Sequence, residues 1–513
     1  MEPRPALLAL SLLLLPSLLP SLPRVAGVAQ ATEPPTPDPG ASDTAAKDEP
    51  AKEAKDVARM DLRALWAQAQ ARAPALEAAR HNLAGAMATR DEQSYMRLPS
   101  GELAAYLTGS PKIECKDTVL DVTGPDGLPT ANKLTLPDRY CLSTNTNLTL
   151  TEANIGKVLP INGVAFRLDL RIVQPLYTFG KLLAARDLGR VGVDMARASA
   201  DATRADLGLN LARAYYGLKS LRAALITVRE GNDQIQVWIK RIDKDLEKGK
   251  GGYTEFDLAR LKVASSSIEL ALVDLERTHK STVAALRYLV QDSRADIDEE
   301  ELAPVDLEER PLSYYLDQAL QHRPELKTLE ATGRGAVLYR KLRFAELLPD
   351  LGLVGSLNYS AATGINDANI TNAFLNRYNY LGASLLLALR QPLDLGPRIA
   401  RLRKAEADVR QFDAKRRELL GGGALEIERA YNDVQEARGR LKVAETAERR
   451  ARGWLQGVKQ AMDVGTAESR DMTEALRAYF DQHLLVIRTI NDLNVQCAAL
   501  RRTAGMEVIP ARD

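Results

Sequence analysis

The segment VGTAESRDMTEAL, residues 464–476, holds the side chains best suited to chemistry in this sequence. Its Asp471 and Glu474 lie three positions apart, so on a helix the two carboxylates share one face. Carboxylates that line a narrow opening attract cations and repel anions. An ordinary solvated acidic face carries the same pattern, so the pair by itself leaves both interpretations open.

Catalysis and metal binding find little support elsewhere in the sequence. The four histidines, at positions 81, 279, 322 and 483, are scattered, and no pair has the spacing of zinc ligands. There is no Ser-His-Asp order and no glycine-rich phosphate loop, so we predict neither an enzyme nor a bound cofactor or metal. The 69 basic residues almost balance the 68 acidic ones, which provides no global field for nucleic acid.

The N-terminus has the pattern of an export signal. Arg4 precedes an apolar stretch from Ala6 to Leu22, and Ala29-Gln30-Ala31 offers a small-x-small cleavage site. A transmembrane anchor is the alternative, but prolines and serines interrupt the apolar run. We therefore predict a signal peptide over residues 1–31. A disordered linker is predicted over 32–56, because that stretch has no hydrophobic periodicity.

The cysteines fit an exported protein. Cys115 and Cys141 lie 26 residues apart in a stretch rich in Gly, Pro, Thr and Asn. In an oxidising compartment this spacing favours a disulfide that closes the loop, with two unpaired thiols as the alternative. Cys497 lies in an apolar helical pattern and is predicted to be a packed thiol.

The rest of the sequence contains the same landmarks twice, in the same order. Gln-Pro-Leu occurs at 174–176 and again at 391–393, 217 residues later. A Leu-Pro pair precedes each copy, and an Arg-Ala-Tyr and then a glycine-containing turn follow each. Several weak matches in one order indicate a tandem repeat. We predict a first repeat over 57–305 and a second over 306–507.

Each repeat has the same predicted elements. A helix of about ten turns, over 60–97 or 312–347, leads into two short strands and then a very long helical hairpin. Proline is absent between Leu176 and Ala303, as a helix interior requires. One helix from Gly180 to Lys248 would be about 100 Å long, which predicts a long bundle or coiled-coil cylinder. The glycines at 421–423 would weaken the second long helix and are interpreted as a bend.

The strands alternate between apolar and polar residues. From Val164 to Ile172 apolar side chains alternate with charged or small ones, and Leu351 to Ala361 does so more weakly. Each segment has about the length of a transmembrane β-strand, although a half-buried soluble sheet has the same pattern. Four strands cannot close a barrel, and open edges are very costly in lipid. Three copies would supply twelve strands.

This repeated order, following a signal peptide, resembles the TolC-like outer membrane efflux protein family over about residues 60–507. The resemblance implies a mainly α fold with β: a homotrimeric 12-stranded transmembrane β-barrel continued by a long α-helical periplasmic barrel. It implies a passive exit duct of a tripartite efflux or type I secretion system, located in the outer membrane with a periplasmic extension. The implied partners are a periplasmic adaptor protein, an inner-membrane transporter and outer membrane lipid.

The resemblance also assigns roles to residues. The strand-to-helix hinges would be Gln174, Pro175 and Gly180, and Gln391, Pro392 and Gly396, with each proline ending the strand ladder. The hairpin tips that meet the adaptor would be at Gly252, Tyr253, Gly465 and Thr466. Asp471, Glu474 and Asp257 would form an acidic ring at the periplasmic gate, and like-charge crowding there would make opening sensitive to pH. Some members have a basic residue soon after Gly-Thr, where this sequence has Ala467.

A protein of another class fits part of the same pattern. A periplasmic or extracellular coiled-coil scaffold with a small β-domain would also have long helices and a few alternating strands. The scaffold would fractionate without detergent, whereas the duct would require it. The sequence names neither the cargo nor the partner pump nor the resting state of the gate.

Overall fold

The computed structural model of the 513-residue chain describes residues 58–111, 113–114, 118–123, 129–136, 161–248, 254–363, 365–366, 379–464 and 466–510. The predicted signal peptide and linker lie outside these residues. So do Cys115 and Cys141 of the predicted disulfide, and Gly252, Tyr253 and Gly465 of the predicted tips.

The first half of the chain contains a short strand, two helices, the strands of a first hairpin and two long helices. In chain order these are β1 (Ala58–Met60), α1 (Leu62–Arg72), α2 (Pro74–Tyr95), β2 (Ser100–Pro111), β3 (Ile113–Glu114), β4 (Thr118–Thr123), β5 (Pro129–Leu136), β6 (Ile161–Tyr177), α3 (Lys181–Glu247) and α4 (Glu255–Val290). A short strand, β7 (Ala295–Ile297), follows and pairs in parallel with β1.

The second half repeats this plan. Its elements are α5 (Leu312–His322), α6 (Pro324–Ala345), β8 (Asp350–Ala362), β9 (Ile365–Asn366), β10 (Tyr380–Arg390), α7 (Leu395–Asp463) and α8 (Ser469–Thr503). The helices match in length across the halves: α1 and α5 have 11 residues, α2 and α6 have 22, and α3 and α7 have 67 and 69. The tandem repeat predicted from the sequence is confirmed.

The single ten-turn helix predicted at the start of each repeat is wrong. Each is two helices, α1 and α2 or α5 and α6, broken where a proline begins the second one. The residue before each proline, Ala73 or Arg323, has extended backbone with ψ near 122° or 121°. The proline ring disfavours helical backbone at the residue before it, so the break follows from local sterics.

The long helices form a layer whose order changes along its length. Beside the sheet the neighbours run α2, α3, α6 and α7, and beside the hairpin tips they run α4, α3, α8 and α7. One flank of the layer is therefore α2 and α4, and the other flank is α7. At 1.5 Å per residue, α3 and α7 are each about 100 Å long, the length expected from the sequence.

The triple glycine does not interrupt α7, which is helical through residues 421–423. Gly423 lies against the buried Arg323 at the start of α6, and a Cβ there would be 3.6 Å from Arg323 Nη1. Arg323 forms ion pairs with Glu325 and Glu426. Gly505, with φ of 70°, passes so close that a Cβ would be 2.5 Å from Arg323 N, so only glycine fits there.

Apolar residues bury themselves in three clusters spaced along the helices. The first joins α1 and β7 to the middle of α3, and the second joins α5 to the middle of α7 and the end of α8. The third joins α3, α4, α7 and α8 near the tips. Among the described residues, no helix is long and apolar enough to cross a membrane.

Candidate functional site

Four antiparallel strands, in the order β10, β8, β6 and β2, form the main sheet, and one of its faces is apolar. Across β2, β6 and β8, Leu103, Leu170 and Leu357 lie side by side. On the outer strands Leu107 is 74% exposed and Leu385 is 72% exposed, so the described residues leave this face uncovered. A broad apolar face is unfavourable in water and favourable against lipid.

The opposite face of the sheet is polar. Arg167 Nε donates to Asp169 Oδ1 at 3.0 Å, and the hydroxyls of Ser356 and Ser384 are 2.8 Å apart. Residues directly opposite each other on antiparallel strands point to the same face, and the register puts these groups on the side away from the leucines. The sheet thus has the separate apolar and charged faces that the alternation predicted.

Both edges of this sheet are open among the described residues. β2 and β10 each have a single hydrogen-bonded neighbour in it. An unpaired edge in hydrocarbon leaves backbone groups without partners, at several kcal/mol each. In lipid, these two edges would therefore need strands from outside the described residues as hydrogen-bonding partners.

The first hinge differs from the prediction. β6 does not stop at Pro175: it continues to Tyr177, which pairs with Leu351 of β8. The register shifts between Pro175 and Tyr177, and such a bulge leaves a residue unpaired where proline has no N–H to donate. The turn is made instead by Phe179 and Gly180, with φ of 48° and 89°, directly before α3.

The second hinge has a different geometry. β10 ends at Arg390, so here the ladder does stop before Gln391 and Pro392. α7 begins at Leu395, which puts Gly396 in its first turn and not ahead of the helix. A Cβ on Gly396 would meet none of the described residues within 4 Å, so packing within the chain does not require glycine.

The glutamines of the two hinges make matching hydrogen bonds. Gln174 Nε2 donates to the carbonyl of Arg97 at 2.9 Å, and Gln391 Nε2 donates to the carbonyl of Leu347 at 3.0 Å. Each amide also donates to the carbonyl of the proline that follows it. Each glutamine therefore ties the returning strand to the turn between helix and strand that began the hairpin. Both glutamines were predicted as hinge residues, but the hydrogen bonds that they make were not, and their repetition in the sequence was the signal for this shared role.

We expect Gln391→Leu to lower the stability of the folded protein by about 1 kcal/mol, because it removes two partly exposed hydrogen bonds. The corresponding fall in Tm is on the order of 1–3 °C. Circular dichroism during heating in detergent measures it, with Gln174→Leu as the equivalent change in the other repeat. Gln411→Leu, on an exposed part of α7, is the control. An equal fall in the control would contradict the role of the hinge amides.

Asp257 caps α4 at the tip of the first long hairpin. Its Oδ2 accepts hydrogen bonds from Thr254 N at 3.0 Å and from Thr254 Oγ1 at 2.7 Å. Asp257 N donates to Thr254 Oγ1 at 3.3 Å, which completes a capping box. The pattern Thr-x-x-Asp before an apolar helix was the signal for this structural role.

Asp471 has the equivalent position in α8, at the tip of the second hairpin. Its Oδ2 accepts from Glu468 N at 3.2 Å. One turn further on, Glu474 Oε1 accepts from Arg470 Nε at 2.9 Å, and this hydrogen bond and charge raise the pKa of the Arg470 guanidinium. Asp471 and Glu474 both lie exposed at the start of one helix, and the spacing of the two carboxylates did not predict the Arg470 cation that lies beside Glu474.

Thr466 and Cys497 are the remaining predicted residues that the structure describes, and neither is placed for catalysis or ligand binding. Thr466 Oγ1 donates to the carbonyl of Ala461 at 3.0 Å and so closes the end of α7. Cys497 is buried in the second apolar cluster, and burial raises the pKa of its thiol to about 11. Within the part of the chain that the structure describes, no group of three His, Cys, Asp or Glu side chains is arranged to hold a metal.

Known proteins resemble this chain over most of its length. The family described as outer membrane efflux protein matches residues 162–290 and 315–506. The outer-membrane channel OprN is 18% identical, with a TM-score of 0.67 over 92% of this chain and 99% of the other.

Two further solved structures have the same fold. The outer membrane protein VceC from Vibrio cholerae is 18% identical, with a TM-score of 0.66 over 87% of this chain and 97% of that one. The CmeC outer membrane channel of Campylobacter jejuni is 14% identical, with a TM-score of 0.66 over 94% and 96%. No protein with a curated description matches the sequence.

Proposed function

Because the chain belongs to the outer membrane efflux protein family and is therefore an outer membrane exit duct, we propose that three copies build the duct together. The family is one of channels and not of enzymes, and the scaffold alternative leaves the apolar sheet face unexplained. One observation carries the proposal: in the described part of the chain, a four-stranded sheet with one apolar face and two open edges continues into helices about 100 Å long.

Closure of the sheet sets the number of copies. Three sheets of four strands give an even, 12-stranded barrel, which is within the range of known outer membrane barrels. Each β2 edge would pair with the β10 edge of the next copy, so no backbone group would face lipid unpaired. The polar face would then line a lumen wide enough for water.

The helices offer a second contact between copies near the tips. α4, on one flank of the layer, exposes Phe256, Val263 and Leu270, seven residues apart. α7, on the other flank, exposes Val443 and Trp454, and the exposed Val464 directly follows its last residue. Both sets have spacings that suit a coiled-coil seam. We propose that the α4 seam of one copy packs against the α7 seam of the next.

A disulfide between Val263→Cys and Trp454→Cys tests this contact. Leu261 and Leu455 belong to the same apolar cluster, so the two substituted positions lie beside the same stretch of the helical layer, on opposite flanks of a copy. With Cys115 and Cys141 replaced by serine, oxidation is expected to produce covalent dimers and trimers on a non-reducing gel. Covalent trimers can form because the α4 seam of every copy meets the α7 seam of the next one.

The control pair is Val263→Cys with Val443→Cys. Val443 lies 11 residues from Trp454, about 16 Å along the helix, so it is out of reach. Covalent trimers from the control pair, or none from the test pair, would overturn the arrangement. Conductance of the same sample in a planar bilayer tests the duct itself, and a protein that never conducts would contradict it.

We further propose that the duct exports cargo delivered by an inner-membrane transporter through a periplasmic adaptor. The support is the name of the family, which specifies efflux, and the length of α3 and α7, which extends far beyond a bilayer. The adaptor would meet the tips at Gly252, Tyr253, Gly465 and Thr466. The repeats over 57–305 and 306–507 would each supply one tip.

The gate is proposed at the same tips. Three copies would gather Asp471, Glu474 and Asp257 around the narrow end of the helical tunnel, as a ring that attracts cations. Asp257 and Asp471 also cap helices, so the proposal gives them two roles.

A further inference from the structure

A groove lies directly below the sheet, where α3, α6 and α7 meet. Its volume is about 550 Å³. Apolar side chains form most of its wall, among them Phe179, Leu183, Leu338, Phe344 and Leu402. Leu183 is 50% exposed and Phe344 is 56% exposed. The groove therefore presents apolar surface that the described chain leaves open.

The groove continues the apolar face of the sheet. The ring of Phe179 packs edge-on against Tyr177, with centroids 4.6 Å apart. Tyr177 pairs with Leu351, and Leu389 pairs with Leu351 from the other side, so Tyr177 belongs to the lipid-facing rows. The groove thus begins where the membrane-facing surface ends, at the level of the phospholipid headgroups of the inner leaflet.

Assembly would not cover this groove. Beside the sheet the order of the helices is α2, α3, α6 and α7, so α3 and α6 lie inside one copy. The remaining wall is the side of α7 that faces α6. Neighbouring copies join at α2 and at the far side of α7, which leaves the groove open to lipid.

The charged groups of the groove are unevenly paired. Arg340 and Lys341 line it and form no ion pair with any described residue. Glu406, on the opposite wall, likewise has no ion-pair partner among the described residues, whereas Asp187 is paired with Arg186 at 3.0 Å. The groove therefore offers two cations and one carboxylate around an apolar floor.

We propose that this groove binds a phospholipid whose headgroup carries both a phosphate and an ammonium group, as in phosphatidylethanolamine. Arg340 and Lys341 would hold the phosphate, since guanidinium and ammonium groups form charge-assisted hydrogen bonds with it. Glu406 would accept the ammonium, and an acyl chain would lie on Phe179 and Phe344. The inference depends on the membrane position of the sheet, and so on the proposed function.

Native mass spectrometry of the detergent-solubilised trimer, titrated with phosphatidylethanolamine, tests the proposal. We expect Arg340→Gln with Lys341→Gln to weaken binding about tenfold, since two charge-assisted contacts to the phosphate are lost. Glu406→Gln is expected to remove the preference for phosphatidylethanolamine over phosphatidylglycerol, because only the first lipid has an ammonium group. Phe344→Ser is expected to weaken the binding of both lipids equally.

Lys415→Gln with Arg416→Gln is the matched control. It removes another adjacent pair of exposed cations, which lie on α7 two to three turns beyond Glu406 and outside the groove. Equal losses in the test and control pairs, or no loss in either, would overturn the site. An unheated gel of each sample reports whether the trimer is present. A variant that forms no trimer would contradict the proposed assembly, in which the groove lies away from the contacts between copies. A variant that forms the trimer but does not bind the lipid reports on the groove alone.

Discussion

Replacing Leu357 by arginine is expected to abolish the heat-sensitive trimer in the outer membrane. Leu357 lies near the middle of β8, between Leu170 on β6 and Ala383 on β10, on the face assigned to lipid. Arginine at the midplane of an outer membrane barrel costs about 2–4 kcal/mol, and a trimer incurs that cost three times. The total is comparable with the whole stability of an ordinary domain. Unheated and heated gels of isolated outer membranes measure the outcome.

The neighbouring residue supplies the control. Ser356 is next to Leu357 but lies on the polar face, where its hydroxyl is 2.8 Å from that of Ser384. Ser356→Arg would place the same side chain in the water-filled lumen at no comparable cost, so normal trimer levels are expected. Trimers in equal amounts from both variants would mean that the leucine face does not lie in lipid.

The side chains on each face of the sheet were predictable, because successive residues of a strand point to opposite faces. Alternation along residues 164–172 fixed which side chains share a face, and the register then aligned the leucines of all four strands. The repeat and the long helices were predictable for a related reason. Absence of proline over more than a hundred residues constrains the backbone directly, and the order of landmarks survives even where single residues differ.

The errors arose where one residue type has two possible roles. The single helices predicted over 60–97 and 312–347 include Pro74 and Pro324, although each proline begins a new helix. Pro175 was expected to end its strand, yet a bulge lets the ladder pass it. Local sequence patterns could not predict contacts between residues that are far apart in the chain. Gln174 bonds to a carbonyl 77 positions away, and only the repetition of that glutamine pointed to it.

The acidic gate illustrates the same ambiguity between structural and functional roles. Asp257 and Asp471 follow a capping pattern, and the structure contains the corresponding hydrogen bonds. Capping explains why an aspartate occupies each position without any gate. Glu474 caps nothing, but Arg470 lies against it at 2.9 Å and offsets part of its charge. A test must therefore remove charge while the hydrogen bonds at the helix ends remain.

Asp471→Asn combined with Glu474→Gln is expected to reduce the preference of the channel for K⁺ over Cl⁻ several-fold, on the order of fivefold. The double substitution removes six carboxylates from a trimer. Asparagine keeps a side-chain oxygen that can accept from Glu468 N, so α8 keeps its cap. The reversal potential of single channels in a salt gradient measures the preference, and the trimer band on an unheated gel verifies the fold. Asp257→Asn, which preserves the first capping box in the same way, is expected to have a smaller effect.

Two further variants separate a local ring from general surface charge. Glu299→Gln with Glu301→Gln also removes six carboxylates, from an exposed loop after β7, and is expected to leave the reversal potential unchanged. Arg470→Gln is expected to shift it in the opposite direction, because the cation beside Glu474 is lost while both acidic groups remain. If the loop variant and the tip variant shift the potential equally, the charge at the tips does not form a selectivity ring. Asp471 would then be retained for its cap alone.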